Sequence, residues 1–322
     1  MECRSCSPAL QQAITDFGAD NPFAGAADKL KEHYGIDVAV STIRLVTENH
    51  GEAMLRRQSQ VSAWPDRPGT AALITEMDGS MLPVVETAEP GAGETPVDRR
   101  KTRKLNWKEA RLCLAHEPGS VTPVFAATTG GVEEAGAQWR QCAIAAGAGS
   151  RTKIHALGDG ASWIPDQAHL QFGTQAQYLV DFYHVCDYLS AAGDAIAAND
   201  KHAWMEEKKT WLKENRWADL LRNLEPALEP EDVPDAESPV RACRRYIDNR
   251  SNCLDYKGAL AKGLPIGSGE IESAHRYIFQ NRLKIAGAWW KMDNLARMMA
   301  LRVVRANRGW QDYWSEIGRQ AA

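Results

Sequence analysis

Residues 152–184 read TKIHALGDGASWIPDQAHLQFGTQAQYLVDFYH, and the fold class follows from them. TKIHALGDG is a short apolar, partly β-branched run that ends in an aspartate flanked by glycines. AQYLVDFYH is a second such run that passes into helix-forming residues. Upstream, residues 131–147 are Ala-rich and helical, while VTPVFAATT (121–129) and ARLCLAHE (110–117) supply two more strands. Residues 71–87 hold AALITEM and MLPVVET on either side of Asp78-Gly79-Ser80, which predicts a β-hairpin because Asp-Gly favours a tight turn. Hairpin, strand, strand, helix, strand, helix is the order of an α/β fold, a mixed sheet with helices packed on it.

The flanks are helical. Residues 186–256 lose strand character, hold Trp204, Trp211 and Trp217, and contain an acidic, Pro-rich break at 225–239. They predict an all-helical insertion over 186–262 whose tryptophans belong to its core rather than to a stacking surface. Residues 263–322 are helical again. Near the N-terminus, AADKLKEHY (26–34), a Gly35-Ile36-Asp37 turn and a helix capped by Ser41 or Thr42 and ending at Gly51 outline a helix-turn-helix or a plain αα-hairpin. SAWPDRPGT (62–70) reads as a linker. The expected units are 1–22, 23–69, 70–185, 186–262 and 263–322.

Net charge is −4, from 38 Lys and Arg against 42 Asp and Glu, which excludes a uniformly basic nucleic-acid coat. The charge is nevertheless segmented. Residues 181–237 carry 14 acidic and 6 basic side chains, and residues 257–322 carry 11 basic and 5 acidic. The stretch DRRKTRK (98–104) must face solvent. No run of 18 apolar residues predicts a membrane span. With no export-signal pattern and seven scattered cysteines, the expected compartment is the reducing cytoplasm.

Three acids stand out: Asp78 after ALITEM, Asp159 after TKIHALG, and Glu272 in GSGEIESAHR. Each alone has a structural explanation, as turn residues or as a first-turn helix carboxylate. If the first and fourth strands of a mixed sheet lie side by side and parallel, Asp78 and Asp159 end at one edge, where ligands collect in open sheets. A helix bringing Glu272 there would gather three carboxylates, which repel unless a cation sits between them. Oxygen ligands of this kind suit Mg²⁺ or Mn²⁺, and two such ions support phosphodiester displacement. Glu270 competes with Glu272, but two helical residues differ by about 200°, so only one can face the ions. Glu272 is favoured because His275 and Arg276 share its face.

LPIGSGEIESAHR (264–276) and the segment NRLKIAGAWWKMDNLARMMALRVVRANRGWQDYW (281–314) resemble the C-terminal part of insertion-sequence DDE transposases of the ISKra type. LGDGASWI and YLVDFYHVCDYL resemble that family's second-aspartate and following-strand motifs, and HYGIDVAVSTIRLVTENHG resembles its N-terminal region. The resemblance spans about residues 25–314. It implies a ribonuclease-H-like core interrupted by a helical insertion, a catalytic and metal-binding triad of Asp78, Asp159 and Glu272, and two Mg²⁺ or Mn²⁺ ions. It also implies DNA cleavage and strand transfer, with element ends and target DNA as partners and a homo-oligomer assembled on them. Asp181 and His184 resemble an Asp-x-x-His motif near the active site; the alternative is that Asp181 caps a helix and His184 packs locally.

Family members carry an upstream Cys-rich segment, of which Cys3 and Cys6 resemble a remnant; one such pair supplies two of the four ligands that a closed zinc site needs. A truncated, catalytically inactive DNA-binding or regulatory remnant is therefore the alternative function. Arg276, Arg282, Lys284 and Lys291 are the expected contacts to the DNA backbone. Arg302, Arg305 and Arg308 are expected on a solvated face. Trp289-Trp290 either stacks on an exposed base or packs in the core.

Overall fold

The computed structural model describes residues 6–58, 63–87 and 101–321. Three helices come first, α1 (Pro8–Asp20), α2 (Phe23–Tyr34) and α3 (Val40–Gln58). The central part runs β1 (Ala72–Thr87), β2 (Arg103–His116), β3 (Val124–Thr128), α4 (Val132–Ala145), β4 (Lys153–Gly158), α5 (Trp163–Phe172) and β5 (Ala176–Val180). Helices follow: α6 (Phe182–Ile196), α7 (Lys201–Lys213), α8 (Trp217–Leu224), α9 (Pro239–Asp248), α10 (Tyr256–Ala261) and α11 (Gly269–Ala274). After a π-helical turn at His275–Gln280 come α12 (Asn281–Leu283), α13 (Met292–Ala306) and α14 (Trp310–Ala321). Among the described residues no helix is long and apolar enough to cross a membrane.

The fold is mixed α/β. Its five-stranded sheet has the order β3-β2-β1-β4-β5, antiparallel across β3-β2-β1 and parallel across β1-β4-β5. The first and fourth strands are therefore adjacent and parallel. The hairpin expected at Asp78-Gly79-Ser80 is absent. Residues 72–87 form one continuous strand in which Asp78 pairs with Leu112 and Gly79 with Arg111. Gly79 is not among the residues with positive φ, so the backbone conformation of a primed turn is missing. Its missing side chain serves the cross-strand neighbour instead, because a Cβ there would lie 2.5 Å from Glu109 Oε1. β2 likewise begins at Arg103, seven residues ahead of the expected strand.

Alternation along β1 divides the core in two. Leu73 and Met77 pack with Ile154, Trp139, Ile164 and Phe172 under α4 and α5. On the other face, Ile74 and Leu157 pack with α6 and the insertion helices, and Leu82, Val84 and Leu112 pack with Ile271, Ile278 and Met298. The insertion is all-helical between α6 and α11, as expected, but it is not a separate globule. Leu212, Leu220, Leu224, Val240 and Ile247 share one apolar cluster with Leu179 and Val180 of β5. Trp204, Trp211 and Trp217 pack against that cluster, and the Lys208 ammonium lies 3.7 Å from the Trp211 ring centroid.

Within the segment expected to be a remnant, residues 8–20 form helix α1. Ser7 accepts from Leu10 N and Pro8 opens α1, a start signal visible in the sequence. Cys3 lies outside the described residues, as do residues 59–62 of the linker region and 98–100 of the charged stretch; Lys101, Arg103 and Lys104 are exposed. α3 begins at Val40 rather than at a Ser41 or Thr42 cap, and it runs through Gly51 to Gln58. The glycine marks a crossing, not an end: a Cβ on Gly51 would sit 2.7 Å from the backbone oxygen of Arg297 in α13. Glu52–Arg297 at 2.8 Å and Glu48–Asn294 at 2.8 Å lock the same crossing.

A helix-interior glycine changed to alanine normally stabilises by up to about 1 kcal/mol. Gly51→Ala should instead destabilise by about 1–3 kcal/mol, because backbone cannot move aside as a side chain can. Urea unfolding followed by circular dichroism reads the sign, and a raised midpoint would contradict this crossing.

Candidate active site

The β1–β4 ladder stops at the Met77–Gly158 pair, so Asp78 and Asp159 are the next residues on two adjacent parallel strands. Register puts both on the face that carries Glu76 and Leu157, the face approached by α11 and α6. The Asp78 carboxylate accepts from Gly79 N at 2.7 Å, and its other oxygen lies 3.2 Å from His275 Nε2. Glu272 projects from α11 with 62% of its side chain exposed, 4.0 Å from His184 Nε2. Asp78, Glu272, His184, His275 and Arg276 line one cleft of about 390 Å³. Asp159 is not in that lining; its carboxylate accepts from Ala161 N at 2.8 Å. Among the described residues no three His, Cys, Asp or Glu side chains lie close enough to hold one ion.

Glu270, the competitor, turns away, with a carboxylate oxygen 3.1 Å from His116 Nε2 of β2. His275 is buried, neither of its ring nitrogens has a hydrogen-bond partner, and its ring meets Phe279 edge-on at 5.2 Å. It begins the π-helical turn, which widens the backbone beside the cleft. Arg302 of α13 donates to the Tyr277 and Ile278 carbonyls of this turn.

Two further acids hold the frame. Asp181 is buried and caps α6, accepting from Tyr183 N at 2.5 Å and His184 N at 3.3 Å. Its second oxygen accepts from Ser268 N at 2.6 Å and Ser268 Oγ at 2.5 Å, so the cap also fixes the start of α11. His184, one turn along, reaches the cleft rather than packing away. Glu76, 1% exposed, accepts from Ile271 N at 2.7 Å and ties the middle of β1 to α11. Burial pushes its carboxyl up to about 8, against the opposing Ile271 N–H, with the charges of Glu270, Asp181 and Glu272 adding to the rise. Sequence reasoning passed over Glu76, yet an acid inside ALITEM, two residues before Asp78, shares its face by strand periodicity.

The insertion braces the second aspartate. Tyr246 Oη of α9 donates to the Asp159 carbonyl at 2.5 Å, and Arg250 Nε donates to the Gly160 carbonyl at 2.6 Å. Gly160 has φ 83°, and a Cβ there would lie 2.6 Å from both donors. Neither Tyr246 nor Arg250 carries a local motif.

The expected phosphate contacts divide. Arg276 is exposed at the cleft, Lys284 is half-buried and Lys291 is exposed. Arg282 departs from expectation: it is buried between Phe23 and Trp290, at 5.0 and 4.8 Å, and donates to the Gly18 carbonyl. A guanidinium enclosed in this way cannot meet a phosphate. Arg302 and Arg305 are not on a solvated face either, since both pair with Asp20 and Arg305 also pairs with Asp16; Arg308 is exposed. Trp290 is core and Trp289 is exposed.

The profile of a protein family spans residues 147–318, taking in Asp159, Asp181, His184, Glu272 and His275 and leaving Asp78 outside. The chain belongs to the uncharacterised protein family UPF0236. No curated protein matches it. The part of the cleft that lies within the UPF0236 match is thus its helical wall, whereas Asp78 comes from the preceding strand.

The UPF0236 chain should show the signature of Glu76 in its pH dependence. With the folded carboxyl titrating near 8 and the unfolded one near 4.5, the favourable contribution is complete below pH 4.5. It is then lost by roughly 1.4 kcal/mol per pH unit as pH rises toward the folded value. Thermal midpoints of metal-free protein should fall across that window, and Glu76→Gln should flatten the slope. An identical slope in the variant would assign the proton elsewhere.

Proposed function

We infer that this chain is an insertion-sequence DDE transposase, cutting DNA at element ends and joining the freed 3′-hydroxyl to target DNA in the cytoplasm. The observation that carries this reading is the pairing of β1 and β4. It sets Asp78, midway along β1 where the β4 ladder stops, next to Asp159 just past the carboxyl end of β4, while Glu272 lines a cleft with Asp78. A mixed sheet with its first and fourth strands adjacent and parallel is the arrangement that a ribonuclease-H-like core needs. α2, the 35–39 turn and α3 are the candidate helix-turn-helix.

Two of the three expected donors have the chemistry hard divalent ions need: the exposed carboxylate of Glu272 and the partly exposed one of Asp78 line one water-accessible cleft, whereas the Asp159 carboxylate accepts from Ala161 N outside that lining. Asp78, Asp159 and Glu272 would hold Mg²⁺ or Mn²⁺, which activates the attacking oxygen and stabilises the leaving oxygen of a phosphodiester. The protein's own groups position and bind. His275 Nε2 lies 3.2 Å from the Asp78 carboxylate, and the Tyr246 and Arg250 donors hold the Asp159 turn. Arg276, at the cleft, offers its guanidinium to a phosphate oxygen. His184, facing Glu272, is placed to exchange a proton with water or with a 3′-hydroxyl. Two copies acting on two element ends require a homo-oligomer on DNA.

Asp78→Asn, Asp159→Asn and Glu272→Gln should each reduce Mn²⁺-dependent nicking of DNA bearing the element ends to background. Thermal midpoints should hold or rise, because each change relieves repulsion between carboxylates. Full activity in Asp159→Asn would overturn the assignment, and DNA binding without metal-dependent nicking in the unaltered chain would leave only the regulatory remnant.

A further inference from the structure

Beyond Met77, β1 continues with β2 as a two-stranded arm, one face of which carries the exposed side chains of Met81, Leu105 and Trp107. Leu82, Val84 and Ala110 are buried beneath α11–α13. Register puts Met81, Val85, Arg103, Leu105 and Trp107 on the opposite face. A short parallel bridge joins Val84 to Trp290, so while Trp290 enters the core its neighbours Trp289 and Lys291 border the open face. Trp107 is 57% exposed and Leu105 52%, and the Trp107 ring meets the ring of Trp289 at 6.1 Å and 63°. Beside them lies a groove of about 450 Å³ lined by Val85, Arg103, Leu105, Trp289 and Lys291.

Exposed tryptophans beside cations call for a ligand that has both flat π-faces and negative charge. The guanidinium of Arg103 pairs with no described carboxylate. By register Arg103 shares the face of Trp107, and Lys291 borders it beside Trp289, so both cations lie next to the exposed rings. Two copies of this face would bring like charges together, which disfavours self-association. Trp107 pairs with Pro83, five residues along β1 from Asp78, a distance of about 17 Å. We propose that Trp107 and Trp289, flanked by Arg103 and Lys291, form a stacking site for an unpaired base of single-stranded DNA. The proposal rests on the DNA-processing reading and deepens it.

Fluorescence anisotropy in EDTA, with a short fluorescein-labelled oligo(dT) and its abasic analogue, tests this site in the full chain. Trp107→Ala and Trp289→Ala should each weaken oligo(dT) binding about five- to a hundredfold. Trp107→Phe and Trp289→Phe should retain most of the affinity, and the abasic strand should bind all variants alike. Arg103→Ala should lower the slope of log affinity against log salt by about 0.7. Oligo(dT) affinity unchanged in both alanine variants would overturn the proposal, as would a dimer of the unaltered chain that Trp107→Ala dissociates without changing that affinity. Because metal is absent from the measurement, a failure of nicking would count against the catalytic reading and leave this difference in affinity readable.

Discussion

Along one backbone edge of β1, three neighbours take turns. β4 pairs with residues 72–77, and the bridge to Trp290 takes the edge again through Val85 N to the Trp290 carbonyl at 2.8 Å and Trp290 N to the Pro83 carbonyl at 3.2 Å. Between these two coverings the edge has no strand partner, and Asp78, Gly79 and Ser80 there form the floor of the cleft. An unpaired edge inside a folded protein must meet water or a helix. Here α11 approaches it, and β4 has already turned off at Asp159-Gly160. The position of the cleft is thus a consequence of where one ladder ends and the next begins, and the acids at that spot inherit solvent access.

Five acids crowd this edge, and their fates differ for physical reasons. Asp181 spends both oxygens on four donors, so its charge is satisfied inside the protein. Glu76 is enclosed with a single backbone donor, and burial raises its carboxyl to about 8. Glu270 faces His116. Asp78 and Glu272 line the open cleft, 3.2 Å from His275 and 4.0 Å from His184 respectively, with Arg276 in the same lining. Acids that line a water-accessible cleft, beside others that are enclosed or bonded within the fold, are the ones open to a ligand.

The layers of this fold were legible where periodicity was strong. The strands at 153–158 and 176–180, the helix at 132–145 and the helical character of the insertion follow from local pattern. The pattern misled at glycines. Asp78-Gly79 and Gly51 carry the usual punctuation of a turn and a helix end, yet both lie inside regular elements: Gly79 is paired within the β1–β2 ladder, and Gly51 sits where the backbone of Arg297 crosses α3. Arg282 and Arg302 were misread for a related reason: a basic residue in a positive segment looks solvated, but here guanidiniums satisfy carbonyls that the helix crossings and the π-turn leave open. Asp78, Asp159 and Glu272 could be picked out because each follows a strand or opens a helix. Tyr246 and Arg250, 87 and 90 residues from the carbonyls they hold, had no local trace.

The acidic balance of residues 181–237 is offset in part once the helices are placed. Glu225 pairs with Arg244, Asp235 pairs with Arg241 and Arg245, and Glu229 accepts from Val240 N and Arg241 N at the start of α9. The compensating arginines lie just beyond the acidic stretch in sequence and directly against it in space. These three arginines offset three of the eight excess negative charges, and the insertion keeps its acidic sign. The other side of α9 stacks Tyr246 on Tyr188 at 4.0 Å, with Arg250 over the Tyr246 ring, and from this stack come the two donors to the Asp159 turn. The insertion acts on the candidate site mechanically: what it delivers is the fixed position of the Asp159–Gly160 loop at the end of β4.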